Sequence, residues 1–242
     1  MTKTKGSRPV SDLEGLDTVV EDIRQQFEAK NAARDAAINQ SRGLIQHCAN
    51  AIRAVHRHEW ELAQARLAQA RAAAEAMCTL VAAYPDLYHS GYTQDALKEY
   101  VEACAIYALV RGETFPTPES LAVEPATYLN GLCEAASELR RQILDILRHG
   151  HSAEAERLLS AMDTIYGLLI GLDFHDSITG GLRRRVDALR AVLERTRGDV
   201  TSSLRQQALQ TALADFERRL GLQVPESEAL LASLDDEEAE GV

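Results

Sequence analysis

The sequence predicts an all-α fold: a single-domain antiparallel helical bundle of about seven helices, with a long N-terminal helix. Apolar residues recur at helical spacing through most of the chain, and no segment alternates with the period of two that marks a half-buried strand. No Asn-Gly or Asp-Gly hairpin separates strand-like runs. Hydrophobic residues make up 45% of the 242 positions but aromatics only 5%, so Ala and Leu supply the apolar surface, which suits closely packed helices. Six Pro and 14 Gly, with no run resembling a linker, indicate one domain over residues 11–222. It lies between a flexible N-terminus (1–10) and an acidic tail (223–242) expected to be disordered.

Ser11-Asp12-Leu13-Glu14 reads as a capping box that opens the first helix. Leu16, Val20, Ile23 and Phe27, then Ile38, Ile45, Cys48, Ile52 and Val55, carry its apolar periodicity for about forty residues. A helix of that length packs against something outside its own domain, such as a partner subunit. A second helix runs over about 59–83 and is stopped by Tyr84-Pro85-Asp86. A third covers about 93–111, and Thr117-Pro118-Glu119 starts one short turn. Further helices are predicted at about 125–148, 152–171, 179–197 and 200–220.

The four cysteines, Cys48, Cys78, Cys104 and Cys133, form no C-x-x-C pair and fall in apolar stretches, as reduced core thiols do. That spacing also argues against a zinc site. A polar N-terminus and the absence of any apolar run near the ~20 residues of a membrane span predict a cytoplasmic protein with no membrane partner. The net charge of −11 is uneven: residues 226–242 hold seven acids and no base. Arginines gather at Arg140-Arg141 and at Arg183-Arg184-Arg185, and only four of the 26 bases are Lys. The guanidinium fork suits phosphate, although such a run is more often a solvated helix face.

The third helix carries the chemistry. YVEACAIYALV (100–110) is apolar nearly all round and belongs in the middle of a bundle, yet Glu99 and Glu102 sit three apart on one face of it, with Asp95 a turn earlier. Burying such charges uncompensated costs several kcal/mol each, so an Arg or a metal ion should face them. Glu134 and Glu138 form a second pair at i and i+4. They project away from the core stripe of Leu132, Ala136, Leu139 and Ile143, together with Asn130, Arg141 and Asp145, and taken alone read as a solvated face. Two helices that each offer two carboxylates can nevertheless hold one or two Mg²⁺ or Mn²⁺ ions, which serve phosphodiester hydrolysis. Neither pair has the Glu-x-x-His of a di-iron bundle, and no Gly-rich phosphate loop, Gly-x-Ser-x-Gly or His-Glu-x-x-His motif occurs. Periodicity alone does not say which enzyme this is, and it leaves an all-α nucleotide pyrophosphohydrolase open as an alternative.

Ser41-Arg42, followed by Ala51-Ile52-Arg53-Ala54-Val55-His56-Arg57, resembles the Ser-Arg and His-Arg elements of the translin superfamily, which includes translin and translin-associated factor X (TRAX). LKEYVEA (97–103) is similar to the Leu-Gln-Glu-Tyr-Val-Glu-Ala segment of TRAX, with Lys98 in place of Gln. YLNGLCEAASELRR (128–141) resembles its Tyr-Leu-Leu-Gly…Asp…Glu-Leu pattern, with Glu134 where TRAX has Asp. Asp176-Ser177, Leu182-Arg183 and Asp187 are similar to the final helix, so the resemblance spans roughly residues 30–200. It implies a TRAX-like prokaryotic homologue in which Glu99, Glu102, Glu134 and Glu138 fall on the acidic positions of a Mg²⁺-dependent ribonuclease site. It further implies Arg42, His56 and Arg57 as phosphate contacts, and self-association into a hollow homo-oligomer, tetramer to octamer, around RNA. The basic, His-rich stretch of eukaryotic translin is absent, since 84–95 reads YPDLYHSGYTQD. The expected function is thus a Mg²⁺- or Mn²⁺-dependent endoribonuclease. The alternatives are a non-cleaving binder of single-stranded DNA or RNA and a pyrophosphohydrolase.

Overall fold

The computed structural model describes residues 15–150 and 152–221. The expected capping box at Ser11–Glu14, the flexible N-terminus and the acidic tail lie outside the described residues. Nine helical elements and no strand occur among the described residues: α1 (Leu16–His56), α2 (Trp60–Val81), α3 (Pro85–Tyr88), α4 (Gly91–Arg111), α5 (Pro118–Leu121), α6 (Pro125–Leu147), α7 (Ala153–Ile170), α8 (Asp176–Thr179) and α9 (Leu182–Leu220). Six are long, and three are single turns of four residues.

The predicted stops hold where chemistry enforces them. Pro85 and Pro118 enter as first-turn prolines, and Thr117 with Ser120 closes a reciprocal capping box. Ser152 caps α7 by accepting from Ala155 N. The helices predicted at 179–197 and 200–220 are instead one continuous α9 of 39 residues. A mid-helix glycine costs only about 1 kcal/mol, and Gly198 is bracketed by Arg140, which bonds Thr196 Oγ1 at 3.1 Å and Asp199 Oδ2 at 2.7 Å.

Two apolar clusters make the core. One gathers Leu44, Cys48, Val55, Met77, Leu97 and Ile106 between α1, α2 and α4. The other gathers Leu139, Ile143, Leu158, Met162, Leu189 and Leu193 between α6, α7 and α9. They meet along the α4–α6 contact. There Gln94 faces Thr127 and Lys98 faces Glu134, so these two helices run parallel; Arg185 on Glu134 and Arg140 on Thr196 set α9 parallel to α6. Lys30 paired with Asp86, and His56 with Glu138, show that α1 runs the same way.

Both long terminal helices outrun the bundle. Buried positions on α1 begin at Ala37, and those on α9 end at Val200. The exposed N-terminal part of α1 carries Leu16, Val20, Ile23 and Phe27, and the exposed end of α9 carries Leu209, Leu213, Phe216 and Leu220. Each set repeats at spacings of four, three and four, one apolar stripe on one helix face. Because α1 and α9 run in the same direction, the two overhangs leave from opposite ends of the bundle.

Candidate functional site

The acidic residues of α4 and α6 converge where the two helices touch. Glu99, Glu102 and Glu134 bring carboxylate oxygens that all lie within 4.8 Å of one another. Glu102 has no cationic partner among the described residues. Burial pushes its carboxyl up to about 8, and the charges of Glu99, Glu134 and Glu138 add to that push while Lys98 opposes it. Burial of ionised oxygens and like-charge repulsion act here in the same direction.

Glu134 is held by two cations: Arg185 Nε donates to Oε1 at 3.0 Å, and Lys98 Nζ donates to Oε2. Lys98 Nζ also lies 3.3 Å from Glu99 Oε1, with its side chain only 11% exposed. Burial alone would lower this ammonium, but the Glu134 hydrogen bond and the charges of Glu134 and Glu99 hold it above the usual lysine range. Arg185 is in turn located by Asn130 Oδ1 and Gly180 O, both at 3.1 Å.

Glu138 stands a turn further along α6 and is fixed separately. His56 Nε2 lies 2.9 Å from Glu138 Oε1, while His56 Nδ1 lies 2.8 Å from Gln142 Oε1. The imidazole, expected as a phosphate contact, has a side chain only 4% exposed and belongs to this inner network. The α6 face expected to be solvated is therefore half-buried. Asn130, Glu134, Glu138 and Gln142, each four residues apart, form one polar stripe directed at α1, α4 and α9.

Arg42 is exposed and makes no ion pair among the described residues. Arg57 is also exposed and lines a surface cleft of about 190 Å³ with Arg53, Arg66, Asn50 and Glu59. Asp95 is exposed and remains outside the carboxylate cluster. Three participants were not singled out by sequence reasoning as site residues: Lys98, Gln142 and Arg185. Gln142 continues the i+4 series from Glu134 and Glu138 and could have been read from it. Lys98 sits next to Glu99 in a helix that is otherwise apolar, a cue of the same kind as the glutamates themselves. Arg183 and Arg184 are exposed, and only Arg185 turns inward.

The donor set fits a hard divalent cation. Carboxylate oxygens are the ligands that Mg²⁺ and Mn²⁺ prefer, and a divalent ion would relieve the burial and like-charge repulsion that disfavour the ionised form of Glu102. The cysteines offer no competing site. All four are free, and burial pushes the Cys104 and Cys133 thiols up to about 12 and Cys48 higher still.

No protein-family model matches the sequence. The chain is 27% identical over 186 residues to the uncharacterized protein MJ0175 of Methanocaldococcus jannaschii, across 76% of this chain and 82% of that one. The crystal structure of AfC3PO superposes with a TM-score of 0.73 at 32% identity, covering 78% of this chain and 98% of its own. The AfC3PO–duplex RNA complex superposes with a TM-score of 0.69 at 33% identity and the same coverage. Apo-NeC3PO, at 21% identity and a TM-score of 0.68, covers 82% of this chain and 100% of its own and shares the fold. With nearly all of AfC3PO matched in both structure and sequence, the chain belongs to the C3PO/translin family.

Proposed function

We propose that the protein binds RNA and cleaves it as a divalent-cation-dependent endoribonuclease. The observation that carries this reading is the meeting of Glu99, Glu102 and Glu134 within 4.8 Å, with no ion pair to Glu102 among the described residues. The AfC3PO–duplex RNA complex supports RNA as the ligand. Glu99, Glu102 and Glu134 would hold the Mg²⁺ or Mn²⁺, and Arg185 fixes the orientation of Glu134. Such an ion supplies Lewis-acid activation of water and neutralises charge at the phosphodiester. Glu138, anchored through Oε1 by His56, presents its second oxygen to take the proton of the attacking water. Arg53, Arg57 and Arg66 around their shared cleft hold backbone phosphates, with Arg42 as a further exposed contact.

The apolar stripes on the overhangs of α1 and α9 support a homo-oligomer, since large exposed apolar faces mark association surfaces. One feature favours a non-cleaving RNA binder: Lys98 and Arg185 already neutralise Glu134, as in a purely structural ion network. A labelled oligoribonucleotide incubated with the protein in Mg²⁺, Mn²⁺ or EDTA separates the two readings. Cleavage fragments in metal and none in EDTA are expected. RNA retention without fragments in any metal overturns the enzyme and leaves the binder.

A further inference from the structure

Lys98 stands among the oxygens a metal would need. Its ammonium takes Glu134 Oε2 and approaches Glu99 Oε1 to 3.3 Å, thereby reaching two of the three residues in the carboxylate cluster. An ammonium and a divalent ion cannot share those oxygens, because two cations within a few ångströms in a half-buried site repel strongly. We propose that Lys98 is a tethered counter-ion which occupies the carboxylate cluster when no metal is bound, and which a divalent cation must displace in order to bind. The inference rests on the reading of Glu99, Glu102 and Glu134 as metal ligands.

The surroundings are arranged for such an exchange. Arg185 holds Glu134 by the other oxygen, Oε1, so the carboxylate keeps its place when Oε2 is released. Lys98 also lines a small cleft of about 80 Å³ with Gln94, Asp95, Thr127, Asn130 and Arg185. Asp95, one turn back on α4 and exposed, is an acceptor for the displaced ammonium. The lysine stem is long enough to reach either side without backbone movement, whereas the guanidinium of Arg185 is tied down by three bonds to Glu134, Asn130 and Gly180. Metal affinity is therefore set by a competition within the chain, and the metal-free protein avoids the full repulsion of an empty acidic cluster.

The test measures Mn²⁺ binding to the full chain, without RNA, by electron paramagnetic resonance titration of free Mn²⁺. Lys98→Met is expected to bind Mn²⁺ about tenfold tighter than wild type, within the span of ordinary coupled equilibria, while melting at a lower temperature in EDTA. Lys98→Arg, which keeps the charge, should bind no tighter than wild type. A readout that needs no variant is acylation of lysines by an N-hydroxysuccinimide ester, quantified by mass spectrometry at Lys98. Its labelling should rise on addition of Mg²⁺ while that of Lys30 stays constant. If Lys98→Met binds Mn²⁺ equally or more weakly, and Glu102→Gln abolishes binding, the metal site stands and the counter-ion role fails. If neither wild type nor Lys98→Met binds Mn²⁺, the metal site itself fails and the counter-ion role with it.

Discussion

Gly131 of α6 lies against Val101 of α4 so closely that a Cβ placed on it would sit 2.7 Å from the Val101 Cβ and 2.7 Å from the Lys98 carbonyl oxygen. The helix backbones touch at this point, and the site residues flank the contact: Lys98 and Glu102 on one side, Glu134 on the other. Gly131→Ala must push α4 and α6 apart, since one of the obstructing atoms is backbone and cannot rotate away. A loss of about 1–3 kcal/mol is expected from overpacking, read from urea denaturation in EDTA. Mn²⁺ affinity should fall as well, because Glu134 moves away from Glu99 and Glu102. Unchanged denaturation and unchanged Mn²⁺ binding would show that the contact does not set the site.

The elevated Glu102 carboxyl makes metal-free stability depend on pH. Its folded value of about 8 stands above the ordinary glutamate value of 4.5, so between these two the folded chain holds a proton that the unfolded chain has lost. This contribution is complete below about 4.5 and is lost as pH rises through about 8. The slope from one proton is at most about 1.4 kcal/mol per pH unit. Melting temperature in EDTA should accordingly fall between pH 5 and pH 8 by more in wild type than in Glu102→Gln, whose amide does not titrate. Parallel pH profiles for the two proteins would remove Glu102 as the source.

Substituting Glu102 or Glu134 by Gln should abolish metal-dependent cleavage of an oligoribonucleotide and leave gel-shift RNA binding in place, because the arginines of the α1–α2 cleft are untouched. Wild-type cleavage rates in both variants would remove the cluster from the chemistry.

His56→Ala takes away the bond that fixes Glu138 and leaves the three-carboxylate cluster intact. Loss of an outer partner of this kind costs about 10- to 100-fold in activity. Mn²⁺ binding should change far less than cleavage. A drop in metal affinity as large as the drop in rate would place Glu138 among the ligands instead.

The overhang stripes are tested by placing aspartate at Ile23 and Phe27 of α1, or at Leu213 and Phe216 of α9. All four side chains are exposed in the single chain, so none of these changes disturbs its core. Light scattering is expected to give an oligomer for wild type and a 26.6 kDa species for the variants. A wild-type chain that is already monomeric at micromolar concentration refutes the association surface.

Much of this molecule was legible in the sequence because the cues were local. The prolines at 85, 118 and 125 and the apolar periodicity of α1, α4 and α6 placed those helices within a few residues. Glu99 and Glu102 stood out because an apolar helix has no other reason to carry them. The break predicted between 197 and 200 does not occur, because the glycine there, Gly198, ends a helix only when nothing across the bundle holds it together, and Arg140, which does so, is 58 residues away from it. The α6 polar face was ambiguous for the same reason. Spacing shows that Glu134 and Glu138 share a side, whereas only the packing of α1, α4 and α9 shows that the side is enclosed. His56 and Arg185 reach the site from helices remote in sequence, and no window on the chain contains both them and their partners.

The opposite directions in which α1 and α9 leave the bundle constrain what an assembly can be. A contact between the α1 overhang of one copy and the α9 overhang of the next joins two different surfaces, so each added copy still offers one free end of each kind. Growth of this kind stops only where the rotation from copy to copy returns the last to the first, giving a ring; any other rotation gives an open fibre. Subunit number would then be fixed by a single angle, the one at which the two helices cross. A one-residue insertion in α9 between Val200 and Leu209 would turn its stripe by about 100° and change that angle without touching a single residue of the carboxylate cluster.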